Sequence, residues 1–394
     1  MKTYFEPYFE VHSKLSGTQL LTRMKRHLVL SGWSVEHQLR LASYRILVVG
    51  AGGLGCNVSL LLSGSLCDNA GITIIDPDDV ELTNLHRQLA FKEADVGKPK
   101  AVRLAEYCRD RNSDCRVTGI VDTFNANNAT ELFETHDVVF DCTDNVPTRI
   151  CISDAWVKTG RKTVLISASC VSWSGQLVSF TPGSNGCLRC IYGENDLSVA
   201  TCKRLGQCAL QGVMGPVVNM MGSHQVMRLI SLVKTGISPS ACIKIKFFDF
   251  SAVEPEYRSM SIEPNCSLCL TGEIDYLIYV SSSPAEPVDS SLEITPSDLL
   301  PIITNCILVD VREAKHYEIS RLVNSLNFPA SRYLHAGSFC EPLPVFADDE
   351  KPIVVVCRRG IDSLKFVNKL KLQSPEREIL SLKGGLYGIA LDII

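Results

Sequence analysis

The 394-residue sequence has no long hydrophobic run and no excess of basic residues. None of its apolar segments approaches the ~20 residues that a membrane-spanning helix needs. The N-terminal segment MKTYFEPYFEVHSKLSG contains neither the apolar core of a secretion signal nor an Arg-rich transit pattern. Its 39 Lys and Arg residues are outnumbered by 43 Asp and Glu residues, so no nucleic-acid-binding surface is indicated. These absences predict a cytoplasmic protein with no membrane partner and no direct nucleic-acid partner.

Cysteine, by contrast, is abundant, with 17 residues. In a long chain without a secretion signal, cysteines are expected to be reduced, metal-bound or catalytic rather than paired in disulfides. Only spacing and neighbours distinguish a functional cysteine from a buried apolar one. The length of the chain allows two or three domains.

Apolar strand-like runs alternate with helix-like segments through the first half of the chain. The strand-like runs are RILVVG, ITIID, RVTGIV, DVVFDC and TVLIS. Continuous apolar strands separated by amphipathic helices are typical of a sheet that is covered on both faces. The pattern predicts an α/β fold with a Rossmann-like, doubly wound and mostly parallel sheet.

A glycine-rich turn follows the first strand, where Gly50, Gly52 and Gly55 form G-x-G-x-x-G. These glycines permit a tight turn, a close approach of the backbone to phosphate, and packing of the next helix on the strand. The start of that helix offers N–H groups and a positive dipole end to an anion. Asp76 ends the next strand, where a ribose-binding acid is expected. The pattern predicts a site for a dinucleotide or for ATP.

The residues after Asp76 favour ATP. The segments DPDDVELTNLHRQ and GKPK supply the cations and amides that triphosphate charge requires, namely Asn84, Arg87, Gln88 and Lys100. Asp144, in DCTDN, adds a carboxylate that is suited to Mg²⁺. A nicotinamide-dependent oxidoreductase is the less favoured alternative, because these groups do not provide a place for nicotinamide beside a proton-transferring side chain.

The motifs GAGGLG, D-x-D-x-V-E-x-x-N-L-x-R-Q, G-K-P-K and D-C-T-D-N-x-x-x-R occur in this order. Together they resemble the MoeB/ThiF family, relatives of the ubiquitin-activating enzymes, from about Met24 to Thr271. The resemblance implies that ATP activates the C-terminal Gly-Gly carboxylate of a small ubiquitin-like protein. It also implies a homodimer in which Arg26, in MKRHLVL, reaches the ATP of the partner subunit.

The same resemblance implies a set of residues around ATP and Mg²⁺. These are Gly50, Gly52, Gly53, Gly55, Asp76, Asn84, Arg87, Gln88, Lys100, Asp144 and Asn145. Of these residues, Arg87, Lys100 and Asp144 are expected to act in catalysis, together with Arg26.

Two C-x-x-C pairs, CLRC and CSLC, contribute Cys187, Cys190, Cys266 and Cys269. Two such pairs are typical of a tetrahedral zinc ion held by four thiolates. A redox pair or buried cysteines are the alternatives. The long separation between the pairs is that of the MoeB/ThiF family, and the resemblance implies a structural Zn²⁺ with no position open for catalysis.

The segment VATCKRLGQCALQGVMGP lies between the two pairs. The family pattern places a cysteine four residues before Gly-Val on a crossover segment. Cys208 stands four residues before Gly212 and matches this pattern, whereas Cys202 is the alternative.

Residues 271–294 read TGEIDYLIYVSSSPAEPVDSSLEI, and Ser, Pro and acidic residues dominate the second half. This composition predicts a linker. The linker separates a first domain, residues 1–270, from a second domain, residues 295–394. In the second domain, CILVDVRE and PIVVVC predict buried strands and SLKFVNKLKL predicts an amphipathic helix, which indicates a small α/β domain.

The segment VVVCRRGIDSLKF places Cys357 between a buried strand and the start of a helix. Successive N–H groups there converge on the sulfur and stabilise a thiolate or a persulfide. With VDVREAKHYE and SLKGGLYG, this segment resembles a rhodanese domain. The resemblance implies a persulfide on Cys357, a structural Asp310–Arg312 pair, and an anion-binding loop formed by Arg358, Arg359, Gly360, Ile361, Asp362 and Ser363.

An adenylating half joined to a rhodanese half resembles the molybdopterin-synthase sulfurylases, which also activate the ubiquitin-related modifier used in tRNA thiolation. The resemblance implies an adenylyltransferase and sulfurtransferase that adenylates a Gly-Gly-ended sulfur carrier. The persulfide of Cys357 then gives the carrier a thiocarboxylate, which Cys208 releases. The expected sulfur donor is a cysteine desulfurase or thiosulfate. In the alternative, a ubiquitin-type activating enzyme forms a thioester on Cys208 or Cys202, and the rhodanese domain serves for docking.

Overall fold

The computed structural model describes residues 17–66, 71–192, 212–252, 254–271, 289–335, 338–339 and 351–392. These residues fall into two compact units, which are divided between Val280 and Ser281. Most of the predicted linker, residues 272–288, and the two crossover cysteines Cys202 and Cys208 lie outside the described residues. Within the described part of the chain, every helix is too short or too polar to cross a membrane.

An eight-stranded sheet forms the centre of the first unit. Its strands are β1 (Arg45–Val49), β2 (Gly71–Ile75), β3 (Arg116–Ile120), β4 (Val138–Asp141), β5 (Val164–Val171), β6 (Ser174–Phe180), β7 (Ile243–Asp249) and β8 (Glu256–Ile262). They are arranged in the order β3-β2-β1-β4-β5-β6-β7-β8. Strands β1 to β5 pair in parallel, and β5 to β8 pair antiparallel. The prediction of a mostly parallel, doubly wound sheet is confirmed.

Helices cover both faces of this sheet. They are α1 (Gly17–Leu28), α2 (Val35–Ser43), α3 (Gly53–Ser65), α4 (Lys100–Arg111), α5 (Ala126–Thr135), α6 (Val146–Lys158), α7 (Leu188–Tyr192), α8 (Gly215–Thr235) and α9 (Ser267–Thr271). Successive strand residues point to opposite faces. Ile46 and Val48 of β1 therefore join the apolar core under α3, α4 and α8, and Leu47 and Val49 join the core under α5 and α6.

The strand order reverses between β1 and β4, whose carboxyl ends pair at Val49 and Asp141. In α/β sheets, ligands bind in the crevice outside the carboxyl ends of the strands at such a reversal. The glycine turn, residues 50–55, follows β1, and the segment DCTDN begins at the end of β4. The fold therefore brings these two motifs to the same crevice.

The second unit contains a five-stranded parallel sheet and a short antiparallel pair. Its strands are β9 (Glu293–Ile294), β10 (Ile307–Asp310), β11 (Leu326–Asn327), β12 (Leu334–His335), β13 (Ser338–Phe339), β14 (Ile353–Val356) and β15 (Ile379–Leu382). The parallel sheet has the order β11-β10-β14-β15-β9, and β12 pairs with β13. The predicted second α/β domain is thus present. Strand β9 lies within the segment that was predicted as the end of the linker.

The helices of the second unit are α10 (Pro296–Leu299), α11 (Ala314–Ile319), α12 (Ala330–Tyr333), α13 (Ile361–Gln373) and α14 (Gly385–Asp392). Alternate residues of β14 again belong to different apolar clusters: Val355 to one and Val354 to the other. Because β14 lies between β10 and β15, its carboxyl end is at the centre of the sheet, and Cys357 follows it there directly.

Candidate nucleotide, metal and sulfur sites

The glycine turn is shaped by close packing of α3 on the end of β1. Gly50 has a φ of +96°, which favours glycine. A Cβ at Gly55 would overlap the carbonyl oxygen of Gly50, and a Cβ at Gly53 would lie 2.5 Å from Cγ1 of Val218. The close packing of α3 against β1 and α8 therefore requires glycine at positions 53 and 55.

Gly52 differs because a Cβ there would meet only Nε2 of Gln88, at 3.9 Å. Gly52 is the N-cap of α3, and no side chain among the described residues caps this helix. The first N–H groups of α3 are thus left for a ligand. Gln88 is 3 % exposed, and its Oε1 atom has no hydrogen-bond partner in the described part of the chain. A nucleotide fits this site, because its phosphate oxygens could accept hydrogen bonds from the N–H groups of α3 and its hydroxyl groups could donate to Oε1 of Gln88.

Asp76 is buried at the end of β2 and holds the glycine turn in place. Its Oδ2 atom accepts the N–H of Ala51 at 2.6 Å, and its Oδ1 atom accepts the N–H of Asp78 at 2.9 Å. Burial raises the pKa of the Asp76 carboxyl, and the positive charge of Lys100 opposes this shift. Carboxylate oxygens have more than one lone pair each, so Asp76 retains acceptor capacity for a ribose hydroxyl.

The segment 83–88 packs beside the start of α3, since the carbonyl oxygen of Arg87 lies 3.2 Å from the Cβ position of Gly53. Within it, the buried Oδ1 atom of Asn84 accepts Nε2 of Gln88 at 2.9 Å and Nη2 of Arg87 at 3.3 Å. Arg87 also donates to the carbonyl oxygen of Thr83 at 3.1 Å. Asn84 therefore orients both the Gln88 amide and the Arg87 guanidinium beside the glycine turn.

Lys100 is the first residue of α4 and is only 6 % exposed. Its Nζ atom donates to Oδ2 of Asp78 at 2.9 Å, and the Asp78 side chain is 65 % exposed. The backbone N–H of Lys100 donates to the carbonyl of Asp78 at 2.9 Å, which fixes the start of α4 on the segment after β2. An ammonium group has three donors, so Lys100 can also contact an anionic ligand.

Asp144 and Asn145 are exposed in the turn between β4 and α6. Asn145 is the N-cap of α6, where its Oδ1 atom accepts the N–H of Thr148 at 2.9 Å. Arg26 is exposed in the last turn of α1. None of the hydrogen bonds or ion pairs among the described residues connects Arg26 to the glycine turn. The other predicted nucleotide residues follow strands β1, β2 and β4 or lie on the segments after them, at the carboxyl end of the sheet.

Two buried residues behind the crevice were not predicted. Asp141 accepts the N–H and the hydroxyl of Thr143 at 3.0 and 2.7 Å, and the hydroxyl of Ser167 at 2.5 Å. Gln225 of α8 donates to the carbonyls of Asp141 and Ile166 at 2.9 and 3.2 Å. Both residues fix the strand end that leads to Asp144. Asp141 was visible within the DCTDN motif, but no spacing distinguished Gln225 from the other polar residues of α8.

The four cysteines of the two C-x-x-C pairs form one cluster, in which all Sγ atoms lie within 4.8 Å of one another. The Sγ atoms of Cys187 and Cys266 are 3.4 Å apart, and those of Cys190 and Cys269 are 3.8 Å apart. Thiolates at the usual zinc–sulfur distance are about 3.8 Å apart in a tetrahedron. This cysteine cluster could therefore hold a tetrahedral metal ion.

The first C-x-x-C pair is anchored by a buried ion pair. Nε and Nη2 of Arg189 donate to the two carboxylate oxygens of Asp154 in α6, both at 2.7 Å. The N–H of Leu188 donates to the hydroxyl of Ser153 at 2.9 Å. Burial raises the pKa of Asp154, and the hydrogen bonds from Arg189 oppose this shift. These contacts hold α7, and with it Cys190, on α6.

Cys357 is 1 % exposed, and two hydrogen-bond donors converge on its sulfur. The N–H of Gly360 donates to Sγ at 3.1 Å, and the hydroxyl of Ser363 lies 3.2 Å from it. Gly360 has a φ of +86° and precedes the first residue of α13. Ser381 of β15, which was not predicted, is hydrogen-bonded to the Ser363 hydroxyl at 2.9 Å. Two donors beside a helix start favour an anionic sulfur.

The other residues of this loop are arranged around the buried sulfur. Arg358, Arg359, Ile361 and Asp362 are exposed, whereas Ser363 is buried. At the end of the neighbouring strand β10, Asp310 accepts Nε and Nη2 of Arg312 at 2.9 and 2.7 Å. The geometry of this pair is that of a structural contact.

The fold and these sites define a two-unit protein, with a crevice of the nucleotide-binding type in the first unit and a buried, hydrogen-bonded cysteine in the second. The chain belongs to the ThiF family, whose family model matches residues 24–271. A second family model, the rhodanese-like domain, matches residues 295–392. Both predicted family resemblances are confirmed.

Curated relatives match nearly the whole chain. Adenylyltransferase and sulfurtransferase UBA4 of Yarrowia lipolytica is 34 % identical over 94 % of this chain and 93 % of its own length. Adenylyltransferase and sulfurtransferase MOCS3 of Drosophila grimshawi is 33 % identical over 95 % of this chain and 85 % of its own length. The prediction that the chain is an enzyme, an adenylyltransferase and sulfurtransferase, is confirmed.

Solved structures match about three fifths of the chain. A crystal structure of E. coli MccB with ATP is 26 % identical to this chain, with a TM-score of 0.50, and the match covers 61 % of this chain and 70 % of that one. A crystal structure of PaaA is 15 % identical to this chain, with a TM-score of 0.50, and the match covers 63 % of this chain and 85 % of the PaaA chain. At this low identity, the match indicates a shared fold and nothing about function.

The packing of α3 predicts opposite results for two glycine substitutions. Gly55→Ala places a Cβ on the Gly50 carbonyl and should destabilise the first unit by about 3 kcal/mol or more. A Cβ at Gly52 meets only Nε2 of Gln88, at an ordinary contact distance of 3.9 Å, so Gly52→Ala should change the stability of this unit by less than about 1 kcal/mol. Urea unfolding followed by tryptophan fluorescence isolates this unit, because Trp33, Trp156 and Trp173 are the three tryptophans of the chain. Equal midpoints for the two variants would contradict the packing argument.

Proposed function

We propose that the first unit adenylates the C-terminal Gly-Gly carboxylate of a ubiquitin-like sulfur carrier, and that the second unit supplies sulfur to make a thiocarboxylate. The observation that carries this proposal is that one chain contains two sites. The first is a crevice at which helix α3 begins without a side-chain cap, and the second is a buried cysteine whose sulfur accepts two hydrogen bonds. The relatives support it, since each is named for both activities. The thiocarboxylate would serve tRNA thiolation, molybdopterin synthesis or both.

Adenylation turns a carboxylate, which is a poor acyl donor, into a mixed anhydride. The carrier carboxylate attacks the α-phosphorus of ATP and expels pyrophosphate. No general base is needed, because the carboxylate is already ionised at neutral pH. The protein has to align two anions and offset their charge. The ATP in the E. coli MccB crystal structure supports a nucleotide at the matching fold.

The residues of the crevice have separate roles in this proposal. The N–H groups at the start of α3 bind phosphate oxygens, and Asp76 binds the ribose hydroxyls. Arg87 and Lys100 offset the charge of the phosphates. Asp144 and Asn145 would hold Mg²⁺, which screens and orients the phosphates when bound. The exposed position of Arg26 suits contact with the ATP of a partner subunit in a homodimer.

Sulfur transfer requires two thiols. Cys357 first takes sulfur from a cysteine desulfurase or thiosulfate, and the terminal sulfur of its persulfide then attacks the acyl carbon and expels AMP. The carrier is now joined to Cys357 through an acyl disulfide. Cys208, or Cys202 in its place, attacks Sγ of Cys357, so that a Cys208–Cys357 disulfide forms and the carrier leaves as a thiocarboxylate. Cellular thiols reduce this disulfide.

We propose that these reactions take place in the cytoplasm. We also propose that the chain has two domains, residues 1–270 and 295–394, which are joined by a linker, residues 271–294. The separate family matches at residues 24–271 and 295–392 support this division.

The cysteine cluster is proposed to bind one structural Zn²⁺. Its tetrahedral spacing and four sulfur donors suit zinc. Four thiolates would close the coordination shell, so catalysis at this metal is not part of the proposal.

Zinc content tests this assignment directly. The Cys187→Ser, Cys266→Ser double variant should fall from one zinc per chain to nearly none, because two of four ligands are lost. Cys151→Ser, a half-buried cysteine outside the cluster, should retain full zinc. Metal analysis by mass spectrometry of the purified chains measures both. Full zinc occupancy in the double variant would rule the site out.

The two half-reactions should separate by mutation. Lys100→Met removes a cation from the crevice and should slow carrier-dependent ATP–pyrophosphate exchange by about 100-fold or more, while persulfide formation on Cys357 stays normal. Lys98→Met is the matched control, because Lys98 is exposed two residues away in the same segment. Its exchange rate should stay within about twofold of wild type.

Cys357→Ala should show the reverse pattern, with normal ATP–pyrophosphate exchange and no thiocarboxylate. Cys306→Ser, at a half-buried cysteine of the same unit, is its control. Thiocarboxylate formed at the normal rate by Cys357→Ala would remove the rhodanese step from the mechanism. A carrier thioester that persists in this variant would favour a ubiquitin-type activating enzyme instead.

A further inference from the structure

The start of α14 is fastened to the loop that begins at Cys357. The N–H of Leu386 donates to the carbonyl of Cys357 at 3.0 Å, and the N–H of Tyr387 donates to the carbonyl of Arg358 at 3.2 Å. Gly385 permits this approach, since a Cβ there would lie 2.5 Å from the Cys357 carbonyl oxygen. Tyr387 is therefore held beside the first residue of the anion-binding loop.

The side chain of Tyr387 makes a second contact with the same residue. Nε of Arg358 donates a hydrogen bond to the Tyr387 hydroxyl, and the guanidinium carbon lies 5.0 Å from the centre of the Tyr387 ring. Arg358 is exposed and Tyr387 is half-buried. The main chain and the guanidinium of Arg358 are thus both fixed by one residue of α14.

An exposed arginine normally samples many rotamers, and a ligand that uses it has to restrict them. A tyrosine that stacks on the guanidinium and accepts its hydrogen bond restricts them in advance. The result is an oriented cation one residue from the sulfur of Cys357. Such a cation favours the binding of anionic substrates over neutral ones.

We propose that Tyr387 is a positioning residue, which fixes Arg358 as the binding group for anionic sulfur donors at Cys357. This inference rests on the proposed persulfide role of Cys357. With thiosulfate as donor, the Cys357 thiolate attacks the outer sulfur, the sulfur–sulfur bond of the donor breaks, and its electron pair leaves with sulfite. Tyr387 acts on the binding of the donor and not on this bond exchange.

A double-mutant cycle with thiosulfate tests the inference on the full-length chain. Tyr387→Phe keeps the ring and loses the hydroxyl, so KM for thiosulfate should rise about threefold while kcat stays unchanged. Arg358→Met should raise KM about tenfold. In the Arg358→Met background, Tyr387→Phe should cause no further change, because its effect passes through Arg358.

The matched control is Tyr317→Phe. Tyr317 also lies against an arginine in this unit, with the Arg321 guanidinium carbon 5.1 Å from its ring centre, but its hydroxyl donates to the Ser325 carbonyl. This variant should leave KM unchanged. The charge of the donor gives a second control. Methanethiosulfonate carries one negative charge, whereas thiosulfate carries two, so Tyr387→Phe should raise KM by a smaller factor for methanethiosulfonate than for thiosulfate.

Three results for Tyr387→Phe would overturn the inference. They are an unchanged KM, a fall in kcat instead of a rise in KM, or an equal rise in KM in the wild-type and Arg358→Met backgrounds. A wild-type chain that takes no sulfur from thiosulfate would overturn it as well. The failure of the proposed function is recognised separately, because Cys357→Ala would then still form the carrier thiocarboxylate at the normal rate, whatever KM Tyr387→Phe shows for thiosulfate.

Discussion

The contact between the start of α3 and the carbonyl of Gly50 is the constraint on which the nucleotide site depends. That carbonyl occupies the space of a side chain at position 55, so strand and helix can meet there only through glycine. Because α3 starts there without a side-chain cap among the described residues, its first N–H groups are available at the reversal of strand order. Asp76 accepts an N–H from the same turn and keeps it in this shape.

The parallel part of the sheet could be predicted because strands covered on both faces are apolar throughout. Strand β7 was missed although IKIKFFD begins with the polar and apolar alternation of a half-buried strand. Strand β8 could not be predicted, because it is almost entirely exposed and has no apolar run. The two-residue strand β9 is too short to show any periodicity, and its sequence continues the acidic and serine-rich composition before it. Its place at the sheet edge comes from pairing with β15, far away in the sequence.

At the sites, residues with distinctive chemistry and spacing could be located from the sequence. Asp76 and Cys357 lie at strand ends, where the pattern placed them, and the four cysteines converge as expected. The residues that support them could not be found in this way. Gln225, Ser381 and Tyr387 are common residue types, and only tertiary contacts connect them to Asp141, Ser363 and Arg358.

The central claim is that both units act on one carrier, and the mass of that carrier tests it most directly. A ubiquitin-like protein ending in Gly-Gly is incubated with the chain, Mg²⁺-ATP and thiosulfate, and its intact mass is then measured. The account predicts that one oxygen of the carrier is replaced by sulfur, and that omission of ATP prevents the exchange. An unchanged carrier, in a reaction that releases pyrophosphate and forms the persulfide on Cys357, would contradict the account.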